Sequence, residues 1–153
     1  MKPFIRYVLT VVIDPVYGRT VGLTKLKGPS ELLKKLTFPG GKIEEAESIC
    51  DAASREMAQE TGVDVDPKDW TLFETVTGEH FELNKLVAIS DKVSLARQLE
   101  EEPVWVLDYA HHAQYAQQQP NQYVHDFLPT LRDALAAKSI PLSPPSQVPR
   151  VLL

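Results

Sequence analysis

The chain has 153 residues, of which 43% are hydrophobic and 24% are charged, and this composition predicts one compact soluble domain with a substantial core. Its formal net charge of -5 excludes a protein whose main affinity comes from neutralising a phosphate backbone, so we expect no binding to duplex nucleic acid. Cys50 is the only cysteine, which excludes an internal disulfide and a cysteine-rich zinc site and favours a cytoplasmic location.

The chain begins with a predicted hairpin. Residues 4–13 form a nearly continuous apolar run rich in Ile, Val and Tyr, which predicts a central strand buried on both faces. This run is too short and too β-branched for a membrane span, and no small-residue cleavage site follows it, so we expect no membrane association. A turn at Asp14, Pro15 and Gly18 leads to a returning strand at residues 19–26.

A loop rich in lysine follows the hairpin. Gly28 and Pro29 break the strand pattern, and residues 30–33 predict a short helical turn. Lys34 and Lys35 are open to two interpretations, an exposed surface pair or a contact for a substrate phosphate. Together with the lysines at positions 25 and 27, they form a group that can meet one small anion.

Most of the functional information lies in residues 38–63, which read FPGGKIEEAESICDAASREMAQETGV. The Pro-Gly-Gly sequence at residues 39–41 predicts a tight turn whose backbone can come close to a ligand, since glycine has no side chain to obstruct it. Ser48 followed by Asp51 is a capping-box pattern, which predicts a helix that starts at about Ser48. Gly62 suits the C-cap of this helix.

One face of this predicted helix combines apolar and acidic residues. At about 100° per residue, the residues on that face are Ile49, Ala53, Glu56 and Glu60. Two carboxylates at positions i and i+4 repel each other unless a cation lies between them, and hard oxygen ligands favour Mg²⁺ or Mn²⁺. The alternative is that both acids pair with Arg55 or with lysines at the edge of the helix. The spacing alone leaves both interpretations open.

A longer pattern runs through the same stretch. It consists of Gly41, five residues, Glu47, seven residues, then Arg55, Glu56, Met57, Ala58, Gln59, Glu60, Thr61, Gly62 and Val63. This pattern resembles the signature of the Nudix hydrolases, GX5EX7REUXEEXGU, and differs from it at one defining position. The resemblance implies an α/β fold, with a mixed β-sheet between helices, and hydrolysis of a nucleoside diphosphate linked to another group. It further implies a small nucleotide substrate and Mg²⁺ or Mn²⁺ as the cofactor.

The resemblance also implies roles for individual residues. Glu56 and Glu60 match positions that bind the divalent metal, and the carbonyl of Gly40 matches a backbone ligand. Glu47 matches the residue that orients Arg55 and the metal-bound network. Glu56 is our first choice for the base that helps to deprotonate the attacking water.

Gln59 is the one departure, because the signature has Glu there and the family commonly places a metal ligand at that position. A carboxamide oxygen can coordinate a metal but adds no negative charge, which weakens a second or third metal site more than the first. Three outcomes are open: fewer metal ions, a replacement acid, or little activity. Glu102 best fits the replacement ligand or base, since it precedes a predicted strand with Trp105, and Glu101 is second. A solvated charge run is the alternative.

The remaining elements are predicted from pattern alone. Strands are expected at residues 71–76, 81–90 and 104–107, and residues 93–99 have a helical tendency. Residues 111–119 predict a polar loop, in which two adjacent histidines do not share a helix or strand face and so do not predict a metal site.

The C-terminal part predicts a long helix from Asn121 onward, disturbed or kinked at Pro129. Residues 1–138 are therefore interpreted as a single Nudix-like domain, and residues 139–153 as a proline-rich tail. The apolar end of the tail, at residues 151–153, can dock on a neighbouring subunit, which makes a homodimer a hypothesis.

The function that these observations favour is metal-dependent hydrolysis of a pyrophosphate bond in a small nucleotide. The substrates in question are nucleoside triphosphates, ADP-ribose, nucleotide sugars and dinucleoside polyphosphates, and the sequence does not distinguish among them. One alternative is a non-catalytic nucleotide-binding module of the same fold, motivated by Gln59. The other is an RNA 5′-end pyrophosphohydrolase, against which the acidic net charge counts.

Overall fold

The computed structural model describes residues 2–142. Within this part of the chain, the strands are β1 (Ile5–Asp14), β2 (Arg19–Thr24), β3 (Leu36–Thr37), β4 (Gly40–Lys42), β5 (Thr71–Thr77), β6 (Phe81–Ile89) and β7 (Val104–Asp108). The α-helices are α1 (Ile49–Thr61), α2 (Tyr109–Gln118) and α3 (Phe127–Ala137). No helix among residues 2–142 is long and apolar enough to cross a membrane.

The strands form one mixed sheet with the order β3-β2-β1-β6-β5. β1 and β6 run parallel over nine residue pairs, from Ile5 and Phe81 to Ile13 and Ile89, and the other pairings are antiparallel. β4 pairs with β1, and β7 pairs with β2. The predicted mixed sheet is therefore confirmed.

The helices lie on both faces of this sheet, because the side chains of β1 are apolar on both faces and each face needs to be covered. Val8 and Val12 pack in the cluster that contains α1 residues such as Met57, whereas Val11 and Ile13 pack with residues of α2 and α3. Successive side chains of a strand point to opposite faces, so a strand covered on both sides reads as a continuous apolar run. β1 is thus the central strand that the sequence predicts.

α1 begins and ends where the sequence places its caps. The Ser48 hydroxyl accepts a hydrogen bond from the Asp51 N–H at 3.0 Å, and Gly62 has a φ of 75° at the C-cap. The left-handed conformation at Gly62 is one that glycine adopts at little cost. These two caps fix the ends of the helix that carries Glu56 and Glu60.

Two predictions for the C-terminal half are wrong. Residues 111–119 are not a polar loop, because most of them belong to α2, whose N-cap Asp108 accepts from the His111 N–H at 3.1 Å. The long helix expected from Asn121 begins only at Phe127, after a short 3-10 turn. Pro129 does not kink α3, because it lies in the first turn, where an N–H has no acceptor inside the helix.

Smaller differences concern the ends of elements. The helical tendency of residues 93–99 amounts to one 3-10 turn at Val93–Leu95. Ile140 and Leu142, which the sequence assigns to the tail, pack against the cluster beneath α2 and α3. The rest of the predicted tail, residues 143–153, lies outside the described residues, and so does the subunit contact proposed for its end.

Candidate active site

The site is built on β4, a three-residue strand that uses both of its edges. The Pro39 carbonyl and the Ile43 N–H each bond to β1 at 2.8 Å. Alternate residues of an antiparallel strand direct their backbone groups to opposite sides, so those of Gly40 and Lys42 face away from β1. On that side the Lys42 carbonyl accepts from Arg55 Nη2 at 2.9 Å, and α1 lies alongside. The predicted turn at residues 39–41 is therefore largely strand, and this geometry presents backbone groups to the acidic helix.

The two glycines of β4 are required by close approach. A Cβ on Gly41 would overlap the carboxylate of Glu56, and a Cβ on Gly40 would overlap the backbone carbonyl of Val8. Neither glycine has a positive φ. Glycine is favoured at a position either because φ is positive or because a side chain would not fit. At Gly40 and Gly41 the second reason applies.

Arg55 connects the acids of the motif. Its Nε and Nη2 donate to the two carboxylate oxygens of Glu47 at 2.7 and 2.9 Å, and its Nη1 donates to Glu56 Oε1 at 2.9 Å. The bond to Glu47 is the main reason that the pKa of Arg55 is raised, and in return it lowers the pKa of Glu47. Glu47 also accepts from the backbone N–H of Glu44 at 2.9 Å. The guanidinium is thus fixed by a bidentate pair and holds Glu56 in one orientation.

Glu60 is the acid with an incomplete set of partners. Its Oε2 is buried and has no hydrogen-bond partner in residues 2–142. Burial, followed by the charge of Glu56 and a hydrogen bond with it, raises the pKa of Glu60 to about 8, although the Gly40 N–H opposes this by donating to the carboxylate. The charge of Glu102 acts in the same direction as that of Glu56. Leaving a buried carboxylate oxygen unpaired costs free energy, which a cation at this position would offset.

Glu102 comes to the same site from a distant part of the chain. Its Oε2 accepts from the Leu26 N–H at 2.7 Å, and the residue lines the same cleft as Glu60. Glu101 instead lies 3.6 Å from Lys27 in an exposed ion pair. Of the two acids considered, Glu102 is therefore the one placed at the cleft.

A cleft of about 240 Å³ joins these groups. Its lining includes Gly40, Gly41, Glu60, Glu102, Lys25, Tyr7, Leu9 and Leu83. Lys25 is the cation at this cleft, whereas Lys34 lies at a different cavity. The sequence contained a signal for this difference. Lys25 is two residues after Leu23, so in an extended chain the two side chains point to the same side.

Gln59 points to Arg55 rather than to Glu60. Its Oε1 accepts from Arg55 Nη1 at 3.3 Å. The side chain that departs from the family signature thus occupies the edge of the guanidinium, where an acid would add a further ion pair.

The donor set fits a hard divalent cation of low protein coordination. Among the described residues, no group of three or more His, Cys, Asp or Glu side chains is arranged to hold a metal ion. The site does offer the carboxylates of Glu56 and Glu60 and the outward backbone edge at Gly40. The unpaired buried oxygen belongs to Glu60. Mg²⁺ commonly binds to one or two carboxylates and takes its other ligands from water and substrate phosphates.

Comparison with known proteins agrees with this architecture. The model of the NUDIX domain family matches residues 6–113, which is more than half of the chain. No curated protein matches the chain significantly.

Solved structures share the fold at low sequence identity. An ADP compounds hydrolase is 20% identical, with a TM-score of 0.69 over 92% of this chain and 78% of that one. MutT from Aliivibrio salmonicida and Vibrio cholerae is 16% identical, with a TM-score of 0.66 over 87% of this chain and 98% of that one. A bifunctional NMN adenylyltransferase/ADP ribose pyrophosphatase from Francisella tularensis, complexed with AMP and Mn, is 16% identical with a TM-score of 0.66. That alignment covers 90% of this chain but only 42% of the bifunctional protein.

The family match spans β1, the β4 edge, α1 and β7, and so contains all the residues placed at the cleft. The solved structures show the same mixed sheet between helices. The chain therefore belongs to the Nudix family, and its enzyme class is that of a Nudix pyrophosphohydrolase.

Proposed function

We propose that the chain hydrolyses the pyrophosphate bond of a small nucleotide with the help of Mg²⁺ or Mn²⁺. The observation that supports this most strongly is the unpaired, buried oxygen of Glu60 beside the carboxylate of Glu56, in a cleft that also contains Lys25. Glu56, Glu60 and the Gly40 carbonyl would hold the cation, with Glu102 as a further ligand. When bound, such a cation supplies Lewis-acid chemistry at the pyrophosphate.

The chain's own residues divide the remaining work. Glu56 accepts a proton from the attacking water, and the hydrogen bond of 2.9 Å from Arg55 to its Oε1 keeps the carboxylate in one orientation. Glu47 is a positioning residue, since it acts by fixing the guanidinium of Arg55. Lys25 lies at the cleft, where its ammonium group can neutralise phosphate charge. General base catalysis of this kind contributes about 10²- to 10⁴-fold to a rate.

The test is product release from a panel of nucleotides with and without Mg²⁺ or Mn²⁺. The panel contains dNTPs, nucleotide sugars, ADP-ribose, dinucleoside polyphosphates and an RNA with a 5′-triphosphate. ADP-ribose belongs in it because two of the structural neighbours are described as an ADP compounds hydrolase and an ADP ribose pyrophosphatase. We expect metal-dependent turnover of at least one small nucleotide.

Matched variants make this test specific. Glu56→Gln and Glu60→Gln should each reduce turnover by about 10²-fold or more while remaining folded. Glu45→Gln is the control, since Glu45 is an exposed acid of the same motif. Unchanged turnover in either of the first two variants would remove the proposed mechanism.

A non-catalytic nucleotide-binding module is the second candidate. It is favoured by Gln59, whose oxygen bonds to Arg55 and adds no negative charge to the site. Binding without turnover across the whole panel would support it against hydrolysis. The cytoplasmic location and the homodimer remain predictions, and size-exclusion chromatography tests the latter.

A further inference from the structure

A second cavity, of about 370 Å³, lies where β2 ends and β3 begins. Thr24 and Leu36 line this cavity, whereas their chain neighbours Lys25 and Thr37 line the cleft. Successive residues of a strand point to opposite faces, so the side chains within each of these two pairs point apart. Among the described residues, none lines both. The volume lies within the range of roughly 300 to 1,000 Å³ that small-molecule sites occupy.

The indole ring of Trp105 forms one wall of this second cavity. Its Nε1 donates to the Thr24 hydroxyl at 2.9 Å, which fixes the ring, yet the residue is 50% exposed. The other tryptophan, Trp70, is 6% exposed and donates to the Ser54 hydroxyl. A large aromatic ring that is both held in place and open to solvent offers a stacking face to a planar ligand.

Lys34 supplies a positive charge at the same cavity. It has a φ of 65°, which is uncommon for a residue with a Cβ, and its N–H donates to the Lys25 carbonyl at 2.6 Å. This hydrogen bond ties the backbone of Lys34 to the residue that follows β2. The backbone of Lys34 is thus held at the cavity, and an anionic group of a ligand there can reach its ammonium group.

Neutral polar groups line the wall next to α2. The Nδ1 of His112 lies 2.9 Å from the hydroxyl of Tyr123, and burial lowers the pKa of His112 despite the opposing charge of Asp108. This shift favours the uncharged form of the ring. Gln122 adds a carboxamide to the same wall. With Nδ1 bonded to Tyr123, the Nε2 of the imidazole can donate or accept according to the tautomer, and a carboxamide can do both, which suits the edge of a heteroaromatic ring.

We propose that this cavity binds a planar heteroaromatic ring that carries an anionic group, the chemistry of a nucleoside monophosphate. Trp105 stacks on the ring, Lys34 pairs with the anion, and His112 and Gln122 hydrogen-bond to the ring edge. This site is distinct from the cleft that contains Glu60. It does not depend on the proposed hydrolysis, because it uses other residues.

Tryptophan fluorescence of the full chain tests this proposal with AMP as the probe, in EDTA so that no turnover occurs. We expect saturable quenching of Trp105 by AMP. Adenosine lacks the anion and inorganic phosphate lacks the ring, so each should bind at least about tenfold more weakly, the factor that corresponds to roughly 1.4 kcal/mol. Trp70 contributes a constant background because it is buried.

Three variants assign the binding to this cavity. Lys34→Met should weaken AMP binding about tenfold, whereas Lys68→Met removes an exposed lysine that pairs with Asp66 and should change nothing. Trp105→Ala should weaken binding by about tenfold or more in titration calorimetry, and Trp105→Phe should restore most of it because a ring is kept. Circular dichroism and melting temperature establish that each variant is folded.

Several results would overturn the proposal. These are the absence of saturable quenching by AMP, equal binding of adenosine or phosphate, and insensitivity to both Lys34→Met and Trp105→Ala. Binding that is lost in Glu60→Gln but kept in Lys34→Met would place AMP in the cleft instead. If a variant does not fold, the comparison of the three probes on the wild-type chain still decides the outcome.

Discussion

The carboxylate of Glu56 occupies the space that the Cβ of any residue other than glycine would take at position 41. Gly41 and Glu56 come from different elements, so the strand and the helix are matched at this one point. The spacing between Gly41 and Glu56 in the motif therefore places the acid where only glycine leaves room for it, in addition to bringing it to the site.

Alanine substitution of the two β4 glycines should separate activity from stability. Gly41→Ala displaces only the end of the Glu56 side chain, so we expect turnover to fall by about tenfold or more with little change in melting temperature. Gly40→Ala meets the backbone carbonyl of Val8, so it should lower the melting temperature because the strand must shift. Steady-state kinetics and thermal melts measure both effects. Equal losses of stability in the two variants would contradict this interpretation.

Arg55→Lys should impair positioning while keeping the positive charge. A lysine cannot reproduce the bidentate bond to Glu47 together with the bond to Glu56, so we expect kcat to fall by roughly tenfold or more with a smaller change in KM. Glu44→Gln is the control, because Glu44 is exposed and lies 3.7 Å from the guanidinium. A normal kcat in the lysine variant would show that the fork geometry is not needed.

Stability without metal should depend on pH through Glu60. Burial raises its pKa from 4.5 in the unfolded chain to about 8 in the folded one, so the folded state binds this proton more tightly. The resulting stabilisation is complete below about pH 4.5 and is lost as pH rises towards about 8. In EDTA the melting temperature should fall across this window, and Glu60→Gln should flatten the fall.

Mg²⁺ should reverse this loss most strongly at high pH. A cation and a proton compete for the same carboxylate, so Mg²⁺ should raise the melting temperature more at pH 8 than at pH 6. The Glu60→Gln variant should lose most of this difference. An equal effect of Mg²⁺ at both values in the wild-type chain would argue against a metal ion at Glu60.

Lys85 should be important for stability rather than for catalysis. This residue is 4% exposed, and its ammonium lies 2.8 Å from Glu74, 3.3 Å from Asp126 and 2.9 Å from the Thr130 hydroxyl. Burial alone would lower the pKa of Lys85, but these partners outweigh it and raise the pKa. Lys85→Met removes the link between β6 and α3, so we expect a loss of about 1 to 3 kcal/mol in urea unfolding. The exposed Lys92→Met should change stability by less than about 0.5 kcal/mol.

The sequence predicted the elements whose signals are local. The continuous apolar run of β1 and the caps at Ser48 and Gly62 each depend on neighbouring residues, so they could be recognised without a structure. The same holds for the shared face of Glu56 and Glu60, and the charge of Glu56 is one of the causes that raise the pKa of Glu60. The family signature then extended these local signals to a fold and an enzyme class, both of which the comparisons confirm.

The parts that could not be predicted depend on contacts between distant residues, or on helices whose buried face is only slightly more hydrophobic than the rest. α2 was missed because its buried face consists of Tyr109, Ala113 and Ala116 among polar residues, and alanine gives little hydrophobic contrast. The helical spacing of these three residues was a usable signal. Glu102 lies at the cleft with Glu60, whereas Glu101 does not. The reason is the bond between Glu102 and the Leu26 N–H, which is 76 residues away in the chain.

The double-edged hydrogen bonding of β4 makes the length of the motif critical. The backbone hydrogen-bonding groups of residues 39, 41 and 43 face β1, and those of residues 40 and 42 face α1. A deletion or insertion of one residue within this segment would exchange the two sets. The backbone groups now available to Glu60 and Arg55 would then be used up in the sheet, and the site would be lost without the change of a single acidic residue.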